Sequence, residues 1–201
     1  RPARGDIVEI VEPSPGRETA ACPFVAACGG CDWMHLSRDA QASAHVALAE
    51  GAFPGVPVAF HEAPSALAYR ARARIHARRG RLGFFGARSH DVVRVDACVV
   101  LDPRVEAARA AATELFRGAR GEGELALALG KDRLPVADVA WKEALAPEYF
   151  ARMESEVIAR RWAGFRVTCE DARRPAIVGD PTPWIEGADG APLELGHGGF
   201  S

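Results

Sequence analysis

The sequence predicts an α+β fold with a mixed, mainly antiparallel sheet, two or three helices and a cysteine-rich loop near the N terminus. Pairs of segments with alternating apolar and polar residues flank short turns, as in EGELALAL, GKDR and LPVADVAW, which is typical of hairpins. A few longer segments begin at Ser or Pro and stop at Gly, which is typical of helices. The 201 residues, 48% hydrophobic and 26% charged, suffice for one large or two small globular domains.

The first third of the chain is predicted to hold two strands, one loop and one helix. Residues 7–11 alternate apolar and acidic side chains before two prolines, which predicts a short strand. Residues 21–36 form the cysteine-rich loop. A helix follows from the capping Ser37 to Gly51, and residues 56–62 are predicted to form the next strand.

The middle of the chain carries the most regular alternation. Between residues 69 and 78, arginines and one histidine alternate with alanine and isoleucine, which places the two sets on opposite faces of a strand. Gly80 predicts a hairpin turn, residues 82–85 the returning strand, and residues 92–95 a further strand that leads to Cys98.

The C-terminal half is predicted to add two helices and more hairpin strands. The helices span residues 103–118 and 147–163, and both begin near proline and end at glycine. The strands span residues 122–129 and 134–141, joined by a hairpin turn, and then residues 165–169, 176–178, 184–186 and 193–195.

Four of the five cysteines form a pattern that favours a metal site. Cys22, Cys28 and Cys31 follow a C-x5-C-x2-C spacing, and Cys98 could supply a fourth thiolate. Clustered thiolates with one remote partner favour an iron–sulfur cluster, whereas structural zinc usually takes two separated pairs. Zinc and simply buried or disulfide-bonded cysteines remain alternatives. Cys169, beside two acids, is interpreted as structural.

The basic charge is concentrated in one segment. The chain has a net charge of −2, yet residues 69–98 contain eight arginines and only Asp91 and Asp96 as acids. A row of like charges on one strand face favours a phosphate backbone laid across it, although an ordinary solvated face is the alternative. The candidate RNA-binding residues are Arg70, Arg72, Arg74, His76, Arg78, Arg79 and Arg81.

These segments resemble the iron–sulfur-containing RNA uracil-5-methyltransferases that modify large-subunit ribosomal RNA. CPFVAACGGCDWMHL is similar to that family's C-x5-C-G-G-C-x-x-x-H element, and YRARARIHARRGRLGFFGARSHDVVRVDACVVLDP looks like its basic strands and fourth cluster cysteine. Residues 178–181 and 198–201 look like the lead-in to its GFxQ-type motif. The chain departs from the family at Asp32-Trp33-Met34 and at His45, where a lysine is common.

The resemblance implies a domain division and a set of cofactors. Residues 1–20 would be the exit strand of an N-terminal OB/TRAM-like barrel, with an edge strand of the main domain as the alternative, and residues 21–201 the central iron–sulfur and RNA-binding domain. The cofactors would be a 4Fe-4S cluster and, in the full-length enzyme, S-adenosylmethionine. The sequence contains no glycine-rich βαβ unit, so the catalytic domain is expected after residue 201, and no catalytic residue is assigned in this chain.

Two functions fit these expectations. The first is the RNA-binding and iron–sulfur part of an RNA methyltransferase acting on a loop or single strand of ribosomal RNA, inactive without the rest of the enzyme. The second is a stand-alone, non-enzymatic RNA-binding module with a structural zinc or iron–sulfur site. No signal peptide or long apolar run is visible, and clustered thiolates suit a reducing compartment, so we expect a cytoplasmic monomer with no membrane partner.

Overall fold

The structure, a computed structural model, describes residues 7–187 and 189–196. Within these ranges it contains three α-helices and nine strands. The helices are α1 (Arg38–Ala52), α2 (Pro103–Leu115) and α3 (Pro147–Ile158). The strands are β1 (Ala73–Arg78), β2 (Arg81–Phe85), β3 (Val92–Val93), β4 (Gly123–Leu129), β5 (Pro135–Trp141), β6 (Gly164–Cys169), β7 (Ala176–Gly179), β8 (Trp184–Glu186) and β9 (Pro192–Glu194).

Seven strands form one sheet in the order β3-β2-β1-β4-β5-β6-β7. Each neighbouring pair is antiparallel except β5 and β6, which are parallel and are connected through α3. Strands β8 and β9 form a separate antiparallel pair. The expected α+β class with a mixed, mainly antiparallel sheet and three helices is therefore confirmed.

One face of the sheet is the hydrophobic core. Ile75, Leu125, Val139 and Val167 face one another in register across four strands, and none is more than 2% exposed. Helices α2 and α3 cover this face. Burying such side chains contributes roughly 1.5–3 kcal/mol each to the stability of the fold, so this row stabilises the packing of the four strands.

The other face of the sheet carries charged and small side chains. Across β4, β5 and β6, Ala126 lies opposite Asp138, and Asp138 lies opposite Arg166. In the next row, Glu124 lies opposite Ala140, which lies opposite Thr168. We call this surface the open face; it presents the candidate RNA-binding side chains of β1.

Two predicted strands are wrong, and a third begins later than expected. Residues 7–11 and 56–62 form no strand; in the second segment Phe60 instead stacks on His45 of α1, with ring centroids 6.2 Å apart. A strand requires a hydrogen-bonding partner, which alternation alone does not supply. Strand β1 begins at Ala73 rather than residue 69, because residues 68–70 pair with residues 99–102 instead.

The helices in the described part of the chain are too short or too polar to cross a lipid bilayer. The GGFS segment at residues 198–201, interpreted above as the lead-in to a family motif, lies outside the described residues.

Candidate metal and RNA site

The cysteine loop, residues 22–31, is attached to the end of β2. The Gly29 N–H donates to the Phe85 carbonyl at 2.9 Å, and the Ala87 N–H donates to the Ala27 carbonyl at 3.1 Å. A Cβ atom on Gly29 would lie 3.0 Å from the Gly86 carbonyl oxygen, so this close approach explains the glycine. Neither Gly29 nor Gly30 has a positive φ, so the left-handed conformation that glycine allows is not the reason.

The structure brings four thiols into one neighbourhood. Burial raises the pKa of Cys28, and negative charge on Cys98 and Cys22 raises it further. Burial also raises the pKa of Cys31, which Cys98, Cys28 and Cys22 raise further. Such mutual effects require sulfur atoms that are close enough to interact electrostatically. Cys169 exerts no such effect on either thiol, and all five cysteines are free and half-buried.

The thiols are near one another without forming a finished coordination sphere. Within residues 7–187 and 189–196, no three His, Cys, Asp or Glu side chains are arranged to hold a metal ion. A metal that binds here would displace the thiol protons. Metal ligation by the four cysteines stays a prediction.

The segment around Cys98 is held by neighbours on both sides. The Ala68 N–H donates to the Val99 carbonyl at 3.0 Å, and the Arg70 N–H donates to the Val100 carbonyl at 2.8 Å. On the other side, the Arg109 guanidinium donates to the Asp96 carbonyl at 2.8 Å. Arg109 is only 5% exposed, and nothing in the sequence pattern marks it out.

The buried positive charge of Arg109 is paired with a carboxylate of its own helix, α2. Arg109 donates to both carboxylate oxygens of Glu106, at 2.8 and 2.7 Å. A bidentate pair of this kind is rigid, so α2 presents a fixed donor to the loop that carries Cys98.

The seven candidate RNA-binding residues fall into separate groups. On β1, Ala73, Ile75 and Ala77 are buried while Arg74, His76 and Arg78 lie on the open face, which is the alternation expected. Arg70 and Arg72 precede β1, and Arg79 and Arg81 lie at the hairpin turn.

Acidic side chains in and beside β4 pair with the basic side chains of β1. Arg74 lies 3.1 Å from Glu124 and Arg78 lies 2.8 Å from Glu122, while His76 lies 3.5 Å from Glu124. The expectation of an arginine row without nearby acids is therefore wrong, because β4 approaches β1 from a distant part of the sequence. Arg74 and Arg78 nevertheless stay 46% and 40% exposed.

Burial keeps His76 neutral. Burial lowers its pKa, while Glu124 partly restores it. Its ring stacks on Phe85 with centroids 3.5 Å apart. The lowered pKa favours the neutral ring, so His76 adds little positive charge to the open face at neutral pH.

Replacing Glu122 by glutamine is expected to remove an acid-sensitive contribution to stability. Hydrogen bonds from Arg78, and then from Lys142, lower the pKa of Glu122 to about 2. A lowered folded-state pKa gives stability that is present above the ordinary value of 4.5 and is lost as the pH falls towards 2. Melting temperatures measured between pH 2 and 7 should differ at pH 7 and converge near pH 2. A constant difference over that range would contradict the assignment.

The tip of the β1–β2 hairpin carries two exposed basic residues of the set. Arg79 and Gly80 have φ values of 52° and 73°, as in the type I′ turns that match the twist of a hairpin. Arg79 and Arg81 are exposed, and neither forms an ion pair with a residue in the described ranges. These two guanidinium groups are available to a polyanion.

Two departures from the resembled family contact each other. Trp33 of the loop stacks on His45 of α1, with ring centroids 4.4 Å apart and an interplanar angle of 23°. The two residues therefore act as one pair that packs the loop against α1.

In sequence, the chain is similar to parts of several RNA methyltransferases. It is 37% identical over 125 residues to an uncharacterized RNA methyltransferase of Caulobacter vibrioides, covering 56% of this chain and 29% of that protein. It is 33% identical over 107 residues to the 23S rRNA (uracil(1939)-C(5))-methyltransferase RlmD of a Marinomonas species, covering 50% and 24%. It is 31% identical over 105 residues to the uncharacterized RNA methyltransferase Bd3828 of Bdellovibrio bacteriovorus, covering 48% and 26%.

The fold is also similar to a solved structure. The crystal structure of the Pyrococcus abyssi tRNA (uracil-54, C5)-methyltransferase in complex with S-adenosyl-L-homocysteine matches with a TM-score of 0.67 and 16% identity, covering 93% of this chain and 47% of that one. No protein-family model matches the chain. The matched region spans only about a quarter of the curated relatives' length. The resemblance to part of an RNA uracil-5-methyltransferase is thereby confirmed.

Proposed function

We propose that this chain is the RNA-binding and iron–sulfur portion of an S-adenosylmethionine-dependent RNA (uracil-C5) methyltransferase that acts on ribosomal RNA. The 37% identity over 125 residues to an RNA methyltransferase carries the proposal. The name of the second relative, a 23S rRNA uracil methyltransferase, favours ribosomal RNA as the substrate.

The proposed cluster ligands are Cys22, Cys28, Cys31 and Cys98. Their chemistry fits a 4Fe-4S cluster, which takes four thiolates, and all four are free and interact electrostatically. Zinc is the alternative metal for the same donors. When bound, the cluster would serve as a structural cross-link between the cysteine loop and the Cys98 segment, because methyl transfer moves no net electrons.

The remaining parts of the enzyme would lie outside these 201 residues. We assign residues 21–201 to the central domain and residues 1–20 to the exit from an OB/TRAM-like barrel. The S-adenosylmethionine-binding catalytic domain would follow. The reducing cytoplasm, in which thiolates persist, is the proposed site of action, with the protein as a monomer.

Methyl transfer by the full-length protein tests this proposal. The full-length protein should transfer a labelled methyl group from S-adenosylmethionine to C5 of a uridine in ribosomal RNA transcripts, detected by mass spectrometry of the digested RNA. The 201-residue chain alone serves as the control and should transfer none. Methylation of transfer RNA but not of ribosomal RNA would show that transfer RNA is the substrate. RNA binding by the full-length protein without any methyl transfer would favour the stand-alone binding module.

Removing the two hairpin arginines is expected to weaken RNA binding and its salt dependence. Removing one arginine–phosphate interaction should reduce the slope of log affinity against log salt by roughly 0.7 for single strands, so the slope for the double variant Arg79→Ala/Arg81→Ala should fall by about 1.4. Arg173→Ala/Arg174→Ala is the matched control, since both arginines are exposed and remote from the hairpin in sequence. Equal slopes for the two double variants would assign the hairpin no role in binding.

A further inference from the structure

Arg70 occupies a different place from the other candidate RNA-binding residues. Its N–H donates to the Val100 carbonyl at 2.8 Å, and its own carbonyl accepts from the Asp102 N–H at 2.9 Å. These bonds form a parallel bridge between Arg70 and Leu101, three residues after Cys98. The backbone of Arg70 is thus fixed to the segment that carries the remote cysteine.

The side chain of Arg70 points to the other half of the cysteine site. Its guanidinium lies 3.5 Å from the carbonyl oxygen of Gly30, one of the two glycines between Cys28 and Cys31. The guanidinium therefore carries its positive charge to the stretch between Cys28 and Cys31. Arg70 therefore touches the loop of three cysteines with its side chain and the fourth-cysteine segment with its backbone.

From this geometry we infer that Arg70 is a positioning residue of the metal site, which holds the cysteine loop against the Cys98 segment and supplies the positive charge that four converging thiolates require. The inference rests on the proposed metal site and withdraws Arg70 from the set of residues that bind RNA. It applies equally to iron–sulfur and zinc, because four thiolates leave either site with a net charge of −2. Four such charges repel one another, and a fixed guanidinium nearby offsets part of that repulsion.

Arginine suits this position better than lysine. A planar guanidinium can donate to a carbonyl and interact with several anionic groups at once, whereas an ammonium is a flexible point charge. Groups that support metal ligands from outside the coordination sphere typically change metal affinity 10–100-fold when removed. Arg70→Ala should therefore weaken metal binding by at least about tenfold, and Arg70→Lys should lie between that variant and the parent.

The experiment measures metal binding by the 201-residue chain and its variants. Each protein is reconstituted anaerobically with iron and sulfide, and iron per chain, absorbance near 400 nm and the rate of iron loss to a chelator are recorded. Zinc affinity is measured separately by competition with a chromophoric chelator. Arg173→Ala is the matched control, because it removes one exposed arginine from the β6–β7 turn. Far-ultraviolet circular dichroism of the metal-free proteins confirms that each variant folds.

The outcomes separate this inference from the proposed function. The inference is supported if folded Arg70→Ala loses iron or zinc at least about tenfold more readily than the parent while Arg173→Ala does not. It is overturned, with the metal site intact, if the parent binds metal and folded Arg70→Ala binds it equally well. If the parent takes up neither iron nor zinc, the metal part of the proposed function fails and this inference fails with it.

Discussion

Replacing Cys28 by serine is expected to lower metal content, stability and RNA affinity together. Removal of a ligand should weaken metal binding at least about 100-fold, the upper end of what outer-shell changes cost. The cysteine loop would then be attached to β2 by backbone hydrogen bonds alone. A loss of about 2 kcal/mol would lower the melting temperature by roughly 4–8 °C in a chain of this size. Iron analysis, thermal denaturation and RNA titration measure the three effects.

Cys169→Ser is the matched control for this variant. Cys169 lies at the end of β6, opposite Trp141, and does not affect the pKa of Cys28 or Cys31. The Cys169→Ser variant should therefore bind metal and RNA as the parent protein does. Unchanged stability and RNA affinity in Cys28→Ser would show that the metal site does not brace the fold.

Replacing Phe165 by alanine is expected to cause the largest loss of stability. Phe165 is 0% exposed, and its ring lies 4.6 Å from that of Trp162. Removing a buried aromatic ring typically costs about 3–5 kcal/mol, since the cavity collapses only in part. Phe165 is in β6, so the loss should weaken the attachment of the parallel strand pair to α3. Urea denaturation measures the free energy of unfolding.

Phe53→Ala provides the comparison at an exposed position. Phe53 follows α1 and is 64% exposed, so its replacement should change the free energy of unfolding by no more than about 0.5 kcal/mol. Similar losses in the two variants would mean that β6 does not belong to the cooperative core.

Sequence analysis predicted the elements that local signals specify. Ser37 caps α1 by accepting from the Ala40 N–H at 3.3 Å, and Pro103 and Pro147 begin α2 and α3. Strands β4 and β5 form the expected hairpin, with its turn at residues 130–133. The parallel pairing of β5 with β6 and the pairing of β1 with β4 could not be predicted, because both depend on segments far apart in the chain.

In the candidate site too, local spacing was predictable from the sequence, whereas contacts between distant segments were not. The spacing of Cys22, Cys28 and Cys31 predicted their proximity, and the cysteine pattern already offered Cys98 as a fourth thiolate. The contacts of Arg70 with the Gly30 carbonyl and of Arg109 with the Asp96 carbonyl were missed, because contacts with backbone carbonyls leave no signal in a sequence pattern. The ion pairs of Arg74 and Arg78 were missed for a different reason: their acidic partners lie more than 40 residues away, in and beside β4.

The attachment of the cysteine loop to residues 85–87 also bears on how the protein behaves in solution. The pairing of β2 with β1 ends at Gly83. Beyond that point the cysteine loop pairs with the chain in place of β1, through an antiparallel bridge between Cys28 and Gly86. An uncovered strand end presents unpaired backbone groups that can join another chain. Oxidation of the thiols that displaces the loop would uncover these groups next to Phe84 and Phe85. Damage to the cysteine site should therefore produce self-association before it produces unfolding.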